Sequence, residues 1–253
     1  MDPVYKAYQF LGTLSTEEIG EPSNRFRPSE MDGCSRQIYY RMRGGYPAKP
    51  DAPHSHMYSR DGDLLHDDVR FLLRDAGVEL DWLIFNDDRT VTETMSFKKE
   101  YEIDGKPFVI SGRCDGKIKV NDEWMPLEIK TLNGFKYKYV NLAYNKGEIL
   151  DYLYNKCHNY LVQTMLCADS LGFDRSYLLI KDRSSCQFGF HDETNDYREG
   201  IIIENDKELL DKVYTKMNRI GHALNTGVLP PQDFLEKSKE CGWCPYQKTC
   251  WGK

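Results

Sequence analysis

The chain has 253 residues, of which 40% are hydrophobic and 29% charged, with a formal net charge of -6. That is enough apolar material for one large core, and no apolar run approaches the ~18 residues that a membrane span needs. The acidic balance argues against a broadly basic nucleic-acid-binding surface, although it leaves room for a basic groove.

The opening segment, MDPVYKAYQFLGTL, lacks a basic stretch followed by an apolar one, so it does not read as a secretory signal. Cys34 stands alone, followed by a basic and aromatic group of Arg36, Tyr39, Tyr40, Arg41 and Arg43. Residues 44–60 are rich in Pro, Gly and His and read as a loop. A helix is predicted to start after Asp61 or Gly62, with Leu65, Val69, Leu72 and Ala76 at helical spacing and Gly77 as its stop. His66 lies beside that stripe, where it could line a groove. Residues 91–103 and 107–120 read as strands around the turn Asp104-Gly105, and 124–131 as another.

A second basic and aromatic group follows: Lys136, Tyr137, Lys138 and Tyr139. One long helix is predicted from about Leu150 to Leu171, with the apolar stripe Tyr154, Cys157, Leu161, Met165 and Ala168 and a stop at Gly172. Residues 177–181, 186–190 and 197–203 read as strands. Lys207–Leu224 is the last amphipathic helix, closed by Gly227 and Pro230-Pro231. There is no internal repeat. The order of elements predicts a mixed α/β fold with a central β-sheet flanked by helices.

The chain carries eight cysteines. Without a secretory signal, a reducing compartment is expected, where thiols bind metals or stay free. Cys157, Cys167 and Cys186 read as packed thiols. Cys241, Cys244 and Cys250 form a C-x2-C-x5-C run, a ligand set short of a fourth member, and Cys34 can supply it. Four thiolates suit tetrahedral Zn2+ and an iron–sulphur cluster alike. Either would join the two chain ends.

Residues 111–131 carry the chemistry. If Asn121-Asp122 is a two-residue hairpin turn, Ile118 opposes Met125, Cys114 opposes Ile129, Arg113 opposes Lys130, and Asp115 opposes Glu128. Two carboxylates held that close repel one another, and a divalent cation would compensate them. Lys130 shares the face of Glu128. There it could orient a water nucleophile and offset negative charge building on a phosphoryl group.

Asp115 followed after twelve residues by Glu128-Ile129-Lys130 resembles the core of the PD-(D/E)XK nuclease superfamily. The run Gly62 to His66 resembles the helix that brings a metal-binding histidine in RecB-type members, and Tyr160 to Gln163 resembles their glutamine motif. With the four cysteines added, the match covers nearly the whole chain. It is similar to the iron–sulphur RecB-like exonucleases, which include the CRISPR-associated adaptation nuclease and the nuclease domain of AddB. Two positions depart from the pattern: Cys114 stands where proline is usual, and Cys167 where a tyrosine usually follows the glutamine.

The resemblance implies a restriction-endonuclease-like fold. It implies one nuclease domain over 1–253, in which residue 34 and residues 232–253 form a cluster subdomain around a 61–228 core. His66, Asp115, Glu128 and the carbonyl of Ile129 would hold Mg2+ or Mn2+. Lys130 would position water, and Gln163 would lie beside the site or contact DNA. Cys34, Cys241, Cys244 and Cys250 would ligate a [4Fe-4S] cluster. The implied activity is metal-dependent exonuclease cleavage of single-stranded DNA, 5′ to 3′, extending to endonuclease cleavage. Tyr39, Tyr40, Tyr137 and Tyr139 are candidates to stack on unpaired bases beside phosphate-binding lysines. DNA with free ends is the expected partner. Protein partners of a recombination or CRISPR adaptation complex and a second copy of the chain are others. No membrane is expected, and the expected setting is the cytoplasm of a bacterial, archaeal or phage-infected cell. The reading from another class is a catalytically silent subunit that binds DNA ends or assembles such a complex.

Overall fold

The computed structural model describes residues 3–13, 19–50, 52–185, 187–192 and 197–252. In chain order, α1 (Pro3–Thr13) precedes a short strand β1 (Arg25–Phe26), α2 (Ser35–Arg43) and α3 (Pro53–Asp75). Then come β2 (Leu80–Asp81), β3 (Leu83–Phe85), β4 (Val91–Glu93), β5 (Ser96–Ile103), β6 (Lys106–Arg113), β7 (Gly116–Val120) and β8 (Glu123–Leu132). Helices α4 (Gly134–Asn145), α5 (Ile149–Lys156) and α6 (His158–Leu171) lead to β9 (Arg175–Asp182), β10 (Phe190–Asp192), β11 (Tyr197–Glu199) and β12 (Ile201–Glu204). The chain ends with α7 (Lys207–Thr226), α8 (Lys239–Trp243) and α9 (Gln247–Trp251).

The mixed α/β class expected from the element order is the one observed. A five-stranded sheet has the order β12-β9-β8-β7-β2, and β1, β6 and β5 form a second sheet. Strands β8 and β9 are parallel, so the chain must cross over between them, and α4, α5 and α6 make that crossover. Alternate residues of β8 face opposite sides. Met125, Leu127 and Ile129 pack with Val69 of α3, while Leu132 belongs to the larger core with Leu161, Val162 and Leu166 of α6. Lys130, two residues before Leu132, shares the α6 side and bonds to that helix. The site therefore sits where β8 runs between two helices. Among the described residues, no helix is long and apolar enough to cross a membrane.

The expected turn at Asn121-Asp122 is present, with positive φ at both residues (50° and 65°), the geometry of a type I′ hairpin. Ile118 pairs with Met125, and the ladder runs in the expected register from Val120–Glu123 to Gly116–Leu127. There it stops. The strand expected over 107–120 breaks after Arg113, and its first half joins the other sheet, where Arg113 pairs with Ser96. Arg113 does not oppose Lys130, and neither Cys114 nor Asp115 has a ladder partner. The corner turns at Gly116, whose φ of +145° is reached easily only without a side chain. A Cβ there would also stand 3.0 Å from Leu83 Cδ1.

Four other expected elements change. Helix α3 starts at Pro53, inside the expected 44–60 loop, because proline at the first helical position is preorganised for the helix and nothing before Asp61 interrupts it. Among its described side chains and glycine, Gly62, Val69, Arg70 and Phe71 are buried, whereas Leu72 and Ala76 are exposed. The long helix over 150–171 divides at Cys157 (φ -138°, ψ 35°), and Tyr154 ends up exposed. No glycine or proline marks that break. The 197–203 strand divides at Gly200; of the expected 186–190 strand, the described residues 187–190 form a bridge at Phe188 and then enter β10. Helix α7 runs as expected, from an Asp206 cap that accepts from the amides of Glu208 and Leu209 to left-handed Gly227.

Candidate functional site

Asp115 occupies the corner between the sheets, and its carboxylate does what the missing ladder pair would have done. Oδ2 accepts the Ile129 N–H at 2.6 Å. In an extended strand the N–H and C=O of one residue point toward the same neighbouring strand. The Ile129 carbonyl therefore also points toward the Asp115 edge. Oδ1 of Asp115 is 3.3 Å from His66 Nδ1 and 3.0 Å from Arg70 NH2. On the strand itself, Glu128 Oε1 is 2.5 Å from Lys130 Nζ. Lys130 also donates to Gln163 Oε1 of α6 at 2.8 Å. All of the residues expected around the hairpin are thus brought together: His66, Asp115, Glu128, Ile129, Lys130 and Gln163.

Arg70 was not foreseen. It is 3% exposed, and its guanidinium reaches Asp67 at 2.9 Å, Glu93 at 2.6 Å and Asp115 at 3.0 Å, while its Nε donates to the Asp115 carbonyl at 2.8 Å. It lies four residues after His66, so the two share one helix face, and that spacing was a usable signal. Glu93 comes from β4, which tertiary contact alone brings to α3.

The charges are distributed unevenly. Burial by itself would push the Asp115 carboxyl up, but His66, Arg70 and the Ile129 amide outweigh it and hold the group at about 2. Glu128 moves the other way: burial pushes its carboxyl up, Lys130 opposes this, and the Asp115 charge adds to the rise. Burial also acts against the charged form of Lys130, but Glu128 outweighs it and raises the group, so Lys130 is an ammonium.

Among the described residues, no three His, Cys, Asp or Glu side chains are gathered closely enough to hold one metal ion. Each site carboxylate is instead paired with a protein cation. The donor set still fits a hard divalent cation: carboxylate oxygens, an imidazole nitrogen and a backbone carbonyl. The mutual repulsion of Asp115 and Glu128 is what such a cation relieves.

Cys34, Cys241, Cys244 and Cys250 line one pocket of about 780 Å³. Cys34 precedes α2, Cys241 lies in α8 behind a Ser238 cap, and Cys250 lies in α9. Arg36 NH1 is 3.7 Å and Gln232 Nε2 3.8 Å from Cys250 Sγ. Burial, with the three other thiols around it, pushes Cys244 up to about 11. Trp251 Nε1, on the same pocket, is a buried donor without a partner among the described residues. Donors aimed at sulphur suit an anionic, sulphur-rich group. Cys157 and Cys167 are buried packed thiols as expected, and Cys186 lies outside the described residues.

No family model matches this chain. No curated protein matches it either. Several solved structures are similar to it. One is SSO0001, with a TM-score of 0.48 and 13% identity, covering 100% of this chain and 98% of that one. Another is an alkaline exonuclease, LHK-Exo, from Laribacter hongkongensis, with a TM-score of 0.45, 14% identity and coverage of 81% and 89%. The same exonuclease in complex with dAMP gives a TM-score of 0.44, 14% identity and the same coverage.

The tyrosines divide. Tyr39, Tyr40 and Tyr137 are buried in the core and cannot stack on bases, so that expectation fails for them. Tyr137 donates to the Gly189 carbonyl instead. Each is one of the apolar-facing positions of an amphipathic helix. Tyr139 is 55% exposed and remains available. Arg36 and Arg41 are likewise committed, to the Pro230 carbonyl and to Glu30.

Proposed function

We propose that this protein is a metal-dependent deoxyribonuclease that hydrolyses phosphodiester bonds, acting as an exonuclease on single-stranded DNA. The observation that carries the reading is the convergence of Asp115, Glu128, Lys130, His66 and Gln163 at the chain corner between the sheets. Mg2+ or Mn2+, held by His66, Asp115, Glu128 and the Ile129 carbonyl, would supply phosphate neutralisation and a more acidic water. The chain's own residues do the rest. Lys130 is charged, so it acts as a donor: it aims the attacking water and meets negative charge growing on the phosphoryl oxygens. Gln163 accepts a hydrogen bond from the Lys130 ammonium and so helps to fix it. Asp115 is locked by three partners, which holds its oxygens in place without reorganisation. Water attacks phosphorus and gives up a proton to solvent, the bond to the 3′-oxygen breaks, the 3′-oxygen takes a proton and leaves as a hydroxyl, and the attacked phosphorus stays as a 5′-phosphate on the downstream nucleotide. The test is incubation of labelled single-stranded DNA with the purified protein and Mn2+, with a chelator control. Metal-dependent cleavage is expected, and intact DNA at high protein concentration would overturn the reading.

We infer further that Cys34, Cys241, Cys244 and Cys250 hold a [4Fe-4S] cluster that is structural. Its support is the shared pocket, the Arg36 guanidinium beside Cys250 and the partnerless Trp251 donor. Tying residue 34 to the tail closes a loop of roughly 200 residues, a constraint that by analogy with disulfides stabilises by ~4–5 kcal/mol. Protein purified without oxygen should be brown and contain iron and acid-labile sulphide. Zinc in place of iron would overturn this assignment and leave the nuclease reading untouched.

A further inference from the structure

One cation beside the site has no task so far. Lys136, in the first turn of α4, donates from Nζ to Tyr160 Oη at 3.2 Å and lies 4.5 Å from the centroid of that ring. Lys130 Nζ lies 5.5 Å from the same centroid. The two ammonium groups, one from α4 and one from β8, thus flank a single ring of α6, and Gln163 follows Tyr160 by three residues on the same helix face.

The donors around that ring are left incomplete. Lys130 uses one N–H on Glu128 and one on Gln163, which leaves a third. Lys136 makes no ion pair among the described residues; its neighbours are the Tyr160 hydroxyl and ring and the Cys157 thiol. Because Tyr160 accepts from Lys136, its own hydroxyl hydrogen is free to be donated, and among the described residues no acceptor takes it. A partly buried ammonium without a counter-ion is costly. A cation–π contact offsets only about 0.5–2 kcal/mol of that, and an anion arriving from solvent offsets more.

We propose that Lys136 and Tyr160 form a phosphate-binding subsite adjoining the Lys130 centre, and that it takes a second phosphate of the strand being cut. It rests on the nuclease reading only in assigning the first phosphate to Lys130. Lys136 supplies charge, the Tyr160 hydroxyl supplies a directed hydrogen bond, and the shared ring sets the spacing between two successive phosphates. Tyr139, exposed and three residues after Lys136, lies on the same face of α4, where a base of that strand can stack.

The test is equilibrium binding of a fluorescent single-stranded oligonucleotide over a series of salt concentrations, with a chelator present so that nothing is cut. For Lys136→Gln, the slope of log affinity against log salt should become shallower by about 0.7, the value for one lost phosphate contact on a single strand. Affinity should fall about tenfold at moderate salt, in line with one lost charge-assisted hydrogen bond. Lys136→Arg should restore the slope, and Tyr160→Phe should weaken binding a few-fold with the slope kept. Probes with 5′-phosphate and with 5′-hydroxyl separate the sources: equal slopes assign the subsite to an internal phosphate, unequal slopes to a terminal one. If Lys136→Gln does not fold, unchanged affinity in Tyr160→Phe overturns the proposal. So does a Lys136→Gln protein that folds and binds with the wild-type slope. Wild-type protein that binds through Lys136 but never cuts sinks the nuclease reading alone. Protein that cuts with Lys136-independent binding sinks the subsite alone.

Discussion

Lys130→Ala should slow DNA cleavage by roughly 10²–10⁴-fold, the range for losing a positioned donor or proton-transfer group at the reacting centre. The variant should remain folded, and this follows from Glu128. That carboxyl is 4% exposed and already pushed up by burial and by the Asp115 charge, so it can take a proton when its ammonium partner is removed. The loss should therefore appear in turnover more than in the unfolding midpoint. Adding Glu128→Gln to Lys130→Ala should cost little more than either change alone, because groups acting as one unit are not additive. Single-turnover cleavage with saturating Mn2+ measures both. A Lys130→Ala rate within a few-fold of wild type would remove Lys130 from the mechanism.

Arg70→Met should destabilise the protein by about 3–5 kcal/mol at neutral pH, as expected when one member of a buried ion-pair network is deleted and the others stay behind. Asp67, Glu93 and Asp115 all surround that guanidinium, and methionine fills its volume without its charge. The pH dependence identifies the mechanism. Asp115 is held at about 2, below its ordinary value. A depressed carboxyl contributes stability that is fully present above its unfolded pKa of ~3.9 and is lost as the pH falls through the folded value. The deficit of Arg70→Met should therefore be large near neutral pH and shrink as the pH drops from about 4 toward about 2. Denaturant midpoints at neutral pH and near pH ~3 give the comparison. An equal deficit at both would mean that Arg70 acts through packing alone.

Much of the hairpin was legible because its determinants are local. A two-residue turn with Asn121 and Asp122 at positive φ sets the register, and the alternation of β8 then fixes which side chains share a face. That suffices to put Glu128 beside Lys130. The resemblance of the runs ending at His66 and at Gln163 to nuclease motifs named the other two elements. The cysteine spacing likewise named four residues that do share a pocket.

The misreadings have physical causes. The division at Cys157 carries no breaker residue, so only packing decides it. Tyr39, Tyr40 and Tyr137 looked like a binding surface because tyrosine beside arginine or lysine reads the same on either face of a helix, and burial chose the inner face. The strand from 107 to 120 read as continuous because alternation persists through it. The sheets diverge there, where the chain turns at Gly116 and the Asp115 carboxylate takes the Ile129 amide in place of a ladder partner.

By itself, then, the sequence determined the turn, the β7–β8 register and the class of the fold, all products of short-range periodicity and turn chemistry, whereas the candidate site residues came from a resemblance to a nuclease superfamily. Only the tertiary structure decided the electrostatics. Arg70 meets Asp115 across 45 residues and Glu93 across 23, and Lys136 meets Tyr160 across 24. No local pattern encodes such pairings, because they arise where separate elements pack. They hold the Asp115 carboxyl down, add the Asp115 charge to the rise of Glu128, and set Lys136 against Tyr160.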